Sequence, residues 1–146
     1  MNKLEHVLSK VDPDKVIHLV HRKEDFSTQG DRRDIIHENH FIQLSTLRMN
    51  AGKNFKPHKH IWKTGTDLCI AQESWVVVSG SVKVYFYDLD DSLLYTTTLN
   101  PGDASITLEG GHTYEILSDE TLVYEYKTGP YQGQALDKVF IDESKD

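Results

Sequence analysis

The chain has 146 residues, of which 38% are hydrophobic and 27% are charged, and its formal net charge at pH 7 is −7. This length fits a single domain, residues 1–146, with enough apolar residues to form a core. The acidic balance argues against nucleic acid or an anionic membrane surface as a partner.

The N-terminal sequence and the hydrophobic runs predict the compartment. The first residues lack the features of a signal peptide, and no apolar run approaches the roughly 20 residues that would span a bilayer. The single cysteine, Cys69, excludes an intramolecular disulfide. We therefore predict a soluble, cytoplasmic protein with no membrane partner.

The N-terminal third begins with a predicted short helix. Between residues 3 and 11 apolar side chains recur at helical spacing, and the sequence Asp-Pro-Asp at 12–14 ends the pattern. These apolar residues are Leu4, Val7, Leu8 and Val11. Residues 16–20 are predicted to form a strand, and the polar stretch 21–39 is predicted to be a loop.

From residue 41 onwards the pattern is that of short strands separated by turn residues. We predict a hairpin or a loop at residues 61–68 and a loop at residues 128–136. The predicted strands are residues 41–49, a segment starting at 58, then 69–79, 81–88, 93–99, 104–108, 112–117, 121–127 and 138–141. Many short strands at nearly regular spacing indicate an all-β sandwich or barrel.

A His-x-His sequence begins one of these strands. Side chains at i and i+2 of a strand point to the same face. The Cα atoms of His58 and His60 should therefore lie about 6.6 Å apart with both imidazoles on one side. Two imidazoles in this arrangement can bind one metal ion.

Two further residues are predicted to join them. Glu73 shares a strand face with Trp75 and Val77, where an unpaired carboxylate would be costly to bury. His112 follows two glycines and is the first inward residue of a later strand. A metal ion bound by His58, His60, Glu73 and His112 would account for all four. The alternative is that they are unrelated surface residues, and the combined pattern favours the metal site.

These residues stand in an order that resembles the two motifs of the cupin superfamily. Gly52, His58, His60, Glu73 and Gly80 match the first motif, with a longer gap between His60 and Glu73. Gly102, Gly110 and His112 follow the order of the second, in which Leu108 and Ile116 replace a proline and an asparagine. The resemblance covers about residues 41–127. Residues 72–77, 87–91, 110–112 and 128–133 are similar to small single-domain cupins often encoded among surface-polysaccharide genes.

The resemblance implies a double-stranded β-helix, or jelly-roll barrel, with the metal site at the barrel mouth. The short N-terminal helix predicted from the apolar spacing would precede it. Three imidazoles and one carboxylate suit a divalent transition metal: Fe, Mn, Ni, Zn or Cu. Open coordination positions would then receive a small-molecule ligand.

Three functions stay open on this basis. The first is a metal-dependent isomerase, epimerase or lyase-like enzyme acting on a small polar molecule such as a sugar or sugar nucleotide. The second is a metal-dependent dioxygenase, and the third is a non-catalytic ligand-binding cupin.

Two expectations concern single residues. Tyr114 shares a face with His112 and is the candidate catalytic residue, its alternative being an aromatic that fills the barrel. Val76 and Val78 form an outward apolar face, which predicts a homodimer unless a terminal segment covers them.

Overall fold

The computed structural model describes residues 4–22, 30–63 and 69–142. These residues form fourteen strands and one short helix. In chain order they are β1 (Leu4–Leu8), β2 (Val16–His21), β3 (Arg32–Asp34), β4 (Ile42–Met49), β5 (His58–His60), β6 (Trp62–Lys63), β7 (Cys69–Ile70), β8 (Glu73–Ser79), β9 (Val82–Tyr87), β10 (Leu93–Leu99), β11 (Ala104–Thr107), β12 (Gly111–Ile116), β13 (Thr121–Thr128), α1 (Gln134–Asp137) and β14 (Lys138–Phe140).

Two five-stranded antiparallel sheets make up the main body. One has the strand order β10-β9-β12-β5-β14, and the other has the order β11-β8-β13-β4-β3. The all-β prediction is confirmed. The expected closed barrel is not shown, because in the described part of the chain these strands form two separate sheets.

The hydrophobic core lies between the two sheets. Alternate residues of β8 and β9 are buried, as Val77 and Val84 illustrate, while the residues between them are more exposed. The core cluster draws from both sheets and includes Leu47, Tyr114 and Val123. Period-two burial of this kind turns one face of each sheet inward, where side chains from both sheets meet.

The predicted N-terminal helix is wrong. Residues Leu4–Leu8 form a strand that pairs with β2, with Leu4 opposite His21 and Val7 opposite His18. The spacing of the apolar residues had favoured a helix, but a strand partner rich in β-branched residues lies just beyond the turn at residues 12–14. Backbone pairing with that partner outweighs the weak helical preference of so short a segment.

Three other boundaries differ from the predictions. The predicted loop at 21–39 contains β3, which pairs with the edge of β4, and the loop at 128–136 runs into the helix α1. The predicted strand 69–79 is divided into β7 and β8. Short edge strands and single helical turns leave little periodicity to detect.

The predicted hairpin at 61–68 is framed by the pairing of β6 with β7, in which Lys63 lies opposite Cys69. Its central residues 64–68 lie outside the described residues. No helix in the described ranges is long and apolar enough to cross a membrane.

Gly80 joins β8 to β9 where a side chain could not fit. Its φ is +80°, and a Cβ at this position would lie 2.2 Å from Thr121 Oγ1. Glycine tolerates both the positive φ and the close approach. The motif glycine therefore allows the chain to turn back tightly beside the sheet.

Candidate metal centre

Three strands bring the four predicted ligands together. His58 and His60 lie on β5, and His112 lies directly opposite His58 on the neighbouring strand β12. Glu73 is the first residue of β8 in the other sheet. The site therefore lies between the two sheets, at an end where one strand of each begins.

The four side chains converge on a common point. One donor atom from each of His58, His60, Glu73 and His112 lies within 4.8 Å of the others. Glu73 Oε2 lies 2.9 Å from His60 Nε2 and 3.0 Å from His112 Nε2. His112 Nε2 lies 3.2 Å from His58 Nε2. His60, Glu73 and His112 are buried, and His58 is half-buried.

The three imidazoles share one orientation, with Nε2 inward and Nδ1 held by a partner outside the cluster. His58 Nδ1 lies 3.2 Å from the carbonyl oxygen of Lys56. His112 Nδ1 lies 2.7 Å from Thr107 Oγ1, and His60 Nδ1 lies 3.3 Å from Asp137 Oδ2. Outer partners of this kind fix the tautomer and ring orientation of metal-ligating histidines.

The partners of the Nδ1 atoms determine which ring nitrogen carries the proton and which one has a lone pair available to a metal ion. A carbonyl and a carboxylate can only accept, so they favour a proton on Nδ1 of His58 and of His60. In the neutral His58 and His60 rings the Nε2 lone pairs then point into the cluster, where the Glu73 carboxylate also accepts. A buried group of acceptors is unfavourable unless a cation lies among them.

The donor spacing also fits an ion. Two ligand atoms at right angles around an ion, each at about 2.1 Å, lie about 3.0 Å apart. Three of the separations, 2.9, 3.0 and 3.2 Å, agree with this value, and all four donor atoms lie within 4.8 Å of one another. His58, His60, Glu73 and His112 therefore fit a divalent transition metal in both chemistry and spacing.

The protonation of the metal-free cluster follows from burial and charge. Burial lowers the pKa of His58 to about 4, with help from the nearby His112 and Lys138. Burial also works to lower the pKa of His60, but the carboxylates of Asp137 and Glu73 raise it to about 9. Without an ion, one proton on His60 therefore balances part of the negative charge. An incoming ion must displace it.

Glu73 stays ionised despite its burial. Desolvation opposes the charge, but contacts with His112 and His60 hold the pKa of this carboxyl well below its usual range. Its second oxygen, Oε1, accepts a hydrogen bond from Trp75 Nε1 at 3.2 Å. One carboxylate oxygen thus faces the histidines while the other is held by an indole, which fixes the orientation of the ligand.

The same indole connects Glu73 to a second buried acid. Trp75 Nε1 lies 2.9 Å from Glu125 Oε2, and Arg32 Nη1 lies 2.8 Å from Glu125 Oε1. Burial and the charge of Glu73 raise the pKa of Glu125 to about 7. Arg32 also contacts Asp34 at 2.8 Å. A polar network therefore runs from the edge strand β3 to the metal ligand.

Tyr114 lies in the core beside the cluster. Its ring stacks on Trp75 with centroids 3.7 Å apart, and its hydroxyl lies 3.3 Å from Ser105 Oγ. Burial, together with the charge of Glu73, raises the pKa of Tyr114 well above its ordinary value. Tyr114 packs as an inward aromatic and also borders the cavity, so its catalytic role stays a prediction.

A cavity of about 740 Å³ opens beside the cluster. His58, His60 and Glu73 border it, as do the aromatic residues Phe55 and Trp75. Its size is in the range of small-molecule sites. Reactants could thus reach the ligand atoms from one side.

Several residues of this site were not predicted from the sequence: Arg32, Thr107, Glu125, Asp137 and Lys138. Glu125 had a detectable signal, because it is a charged residue at an inward position of a strand, between Val123 and Lys127. Asp137 and Lys138 had none, since they lie in a C-terminal segment that reaches the site only through the pairing of β14 with β5.

Asp137 should contribute to metal affinity without being a ligand. It is buried, and Nδ1 of His60 has no hydrogen-bond partner among the described residues apart from this carboxylate contact. We expect Asp137→Asn to weaken metal binding about tenfold, at the low end of outer-partner substitutions. The exposed Asp12→Asn is the control. Competition with a chelating dye gives both affinities, and an unchanged value for Asp137→Asn would contradict the assigned role.

Comparisons with known proteins bear on the fold. No protein-family model matches the chain, and no curated protein matches it significantly in sequence. Solved structures do match. KdgF from Halomonas sp. is 20% identical with a TM-score of 0.55, and the match covers 72% of this chain and 82% of that chain.

Two larger proteins contain a similar unit. The capsular polysaccharide assembling protein CapF from Staphylococcus aureus is 18% identical with a TM-score of 0.63, over 81% of this chain and 33% of CapF. Oxalate decarboxylase from Bacillus subtilis is 13% identical with a TM-score of 0.59, over 75% of this chain and 27% of the enzyme. The chain thus spans about a third or less of these two proteins.

The fold of this chain is that of the cupins. At these identities the likeness concerns the fold alone. The resemblance inferred from the sequence motifs is confirmed at that level, and the His and Glu residues named by the motifs lie together in a cluster that could hold a metal ion.

Proposed function

We propose that this protein is a metal-dependent enzyme of the cupin fold that acts on a small polar molecule, of the sugar or sugar-nucleotide class. The observation that carries the proposal is the convergence of three imidazole Nε2 atoms and one carboxylate oxygen on the wall of a cavity. A resemblance to CapF, named for capsular polysaccharide assembly, supports the carbohydrate context.

Different residues would bind the ion, orient its ligands and receive the reactant. His58, His60, Glu73 and His112 would hold the ion, which, when bound, would supply a Lewis acid able to polarise a carbonyl or enediolate oxygen. The backbone carbonyl of Lys56 and the side chains of Thr107 and Asp137 hold the imidazoles in place through Nδ1. The cavity receives the reactant and leaves one side of the cluster accessible.

Tyr114 is proposed as the residue that holds a proton beside the reactant. Its raised pKa keeps the phenol protonated at neutral pH. The Ser105 hydroxyl lies within hydrogen-bonding distance of the phenol oxygen and orients it. A neutral phenol at the cavity wall can donate to an oxygen that gains negative charge during the reaction.

Metal analysis of protein made without an affinity tag tests the proposal. We expect metal equimolar with the chain, and an increase in Tm when chelator-treated protein is reloaded, because an ion that binds only the folded state stabilises it. A panel of sugar nucleotides should raise Tm further in the loaded protein and not in the chelated one. Protein that takes up none of Fe, Mn, Ni, Zn or Cu would overturn the proposal.

A further inference from the structure

Lys138 differs from the other cations that border the cavity. Arg32 pairs with Glu125 at 2.8 Å, Lys53 with Asp31 at 2.9 Å, and Lys127 with Asp137 at 3.5 Å. For Lys138, the described residues provide no carboxylate partner, and its Nζ lies 6.0 Å from the centroid of the Phe140 ring. It is half-buried rather than free in solvent.

The position of Lys138 directs it towards the metal ligands. It lies directly opposite His60 in the pairing of β14 with β5, and opposed residues of a sheet share a face. Since His60 points inward, Lys138 points inward too, and both border the cavity. Two residues on, Phe140 lies opposite His58, with the two rings 6.5 Å apart.

A bound ion would add positive charge at the end of the cavity where Lys138 lies. A divalent ion with three neutral imidazoles and one carboxylate retains one net positive charge, and Lys138 adds another. Asp31 of the cavity wall pairs with Lys53, and Asp34 and Glu125 share Arg32. Glu38 also borders the cavity, but among the described residues it forms no ion pair with Lys138. A half-buried ammonium beside a cationic centre is unfavourable unless an anion lies between or beside them.

We propose that Lys138 binds the anionic group of the reactant, so that the site selects carboxylate-bearing molecules of the sugar-acid class. This inference rests on the proposed metal-dependent function and narrows its substrate class. An oxygen of the molecule would lie at the metal, and its carboxylate would accept a hydrogen bond from Lys138. Charge-assisted hydrogen bonds are among the strongest polar contacts available.

Two small probe molecules that differ in charge measure the contribution of the carboxylate to binding. Glycolate carries a hydroxyl and a carboxylate, and glycolamide has nearly the same shape without the charge. Titration of Co2+-loaded protein, followed by calorimetry and by the Co2+ absorption spectrum, gives the affinity for each. We expect Lys138→Met to weaken glycolate binding about tenfold or more, the effect of one lost charge-assisted hydrogen bond, and to change glycolamide binding little.

Two variants control for folding and for bulk charge. Lys138→Arg keeps the charge and should retain most of the glycolate affinity. Lys83→Met removes a lysine from β9 of the same sheet, at a position between the buried Val82 and Val84, and should bind glycolate as the wild type does. All variants should load Co2+ equally, because no ligand is changed.

The outcomes separate the two proposals. Wild-type protein that fails to load Co2+ overturns the metal-dependent function, and the inference with it. If Co2+ loads but glycolate does not bind, or binds Lys138→Met as tightly as wild type, the role of Lys138 is overturned while the metal site stands. Loss of Co2+ from Lys138→Met would also contradict the assignment, since it would make Lys138 structural.

Discussion

The double variant His58→Ala/His60→Ala should lose tight metal binding, with an affinity on the order of 10⁴-fold below that of wild type. Structural metal sites with four ligands bind with about 10–16 kcal/mol. Two of four ligands therefore account for roughly 6 kcal/mol, which corresponds to about four powers of ten in affinity. Elemental analysis of tag-free protein and chelator competition measure the difference.

The matched control is His6→Ala/His18→Ala. It removes the same number of histidines from the N-terminal hairpin, where both side chains are exposed. We expect metal content and Tm in the presence of metal to equal those of wild type. If the two double variants hold the same amount of metal, the ion is bound elsewhere and the centre described above does not exist.

Removing Arg32 should destabilise the protein in a pH-dependent manner. Arg32 neutralises Glu125, whose side chain is only 8% exposed. Removing one partner of a buried pair costs about 3–5 kcal/mol, and we expect about 2 kcal/mol for Arg32→Met at pH 8 because 44% of the Arg32 side chain is exposed. Urea denaturation of chelator-treated protein measures the free energy of unfolding.

The direction of the pH effect follows from the pKa of Glu125, which is raised to about 7 mainly by burial and by the charge of Glu73. A raised pKa in the folded state gives a stabilising contribution below the unfolded value, which is lost as the pH rises through the folded value. Without Arg32 the pKa rises further. The cost of Arg32→Met should therefore be small at pH 5, where Glu125 is neutral, and should grow towards pH 8.

Two further variants separate this pair from an ordinary surface contact. Arg32→Met/Glu125→Gln should recover most of the lost stability at pH 8, because no unpaired carboxylate remains buried. Arg48→Met removes an arginine whose partner, Glu120, is 72% exposed, and should cost about 1 kcal/mol or less. A cost for Arg32→Met that is the same at pH 5 and pH 8 would show that charge on Glu125 is not its cause.

The ligand residues could be predicted because local rules govern them. Strand parity placed His58 and His60 on one face, and the same rule put Glu73 inward with Trp75. The order of the motif residues predicted His112 as the fourth ligand. The structure brings it as close to Glu73 as His60 lies, although Leu108 and Ile116 replace motif residues nearby. A ligand position depends on where a strand enters the site, and residues elsewhere in the motif can vary.

The strand β1 shows where local rules fail. Leu4, Val7 and Leu8 are spaced as in a helix, yet they lie in a hairpin because β2 is near enough in sequence to pair with them.

The expected homodimer and cytoplasmic location stay predictions. Val78 is exposed. The rings of His21 and Tyr124 lie 5.9 Å apart, which places the end of the β1–β2 hairpin against the outer face of the sheet that contains Val78.

The sequence by itself determined the all-β architecture, the order of most strands and the identity of the four candidate ligands. These depend on period-two patterns, turn residues and motif spacing, all of which are local. Only the tertiary structure decided which groups surround the ligands. Asp137, Lys138 and Arg32 reach the site from segments remote in sequence, through sheet pairing at β14 and β3. Their contacts depend on which strands become neighbours, and no local periodicity encodes that choice.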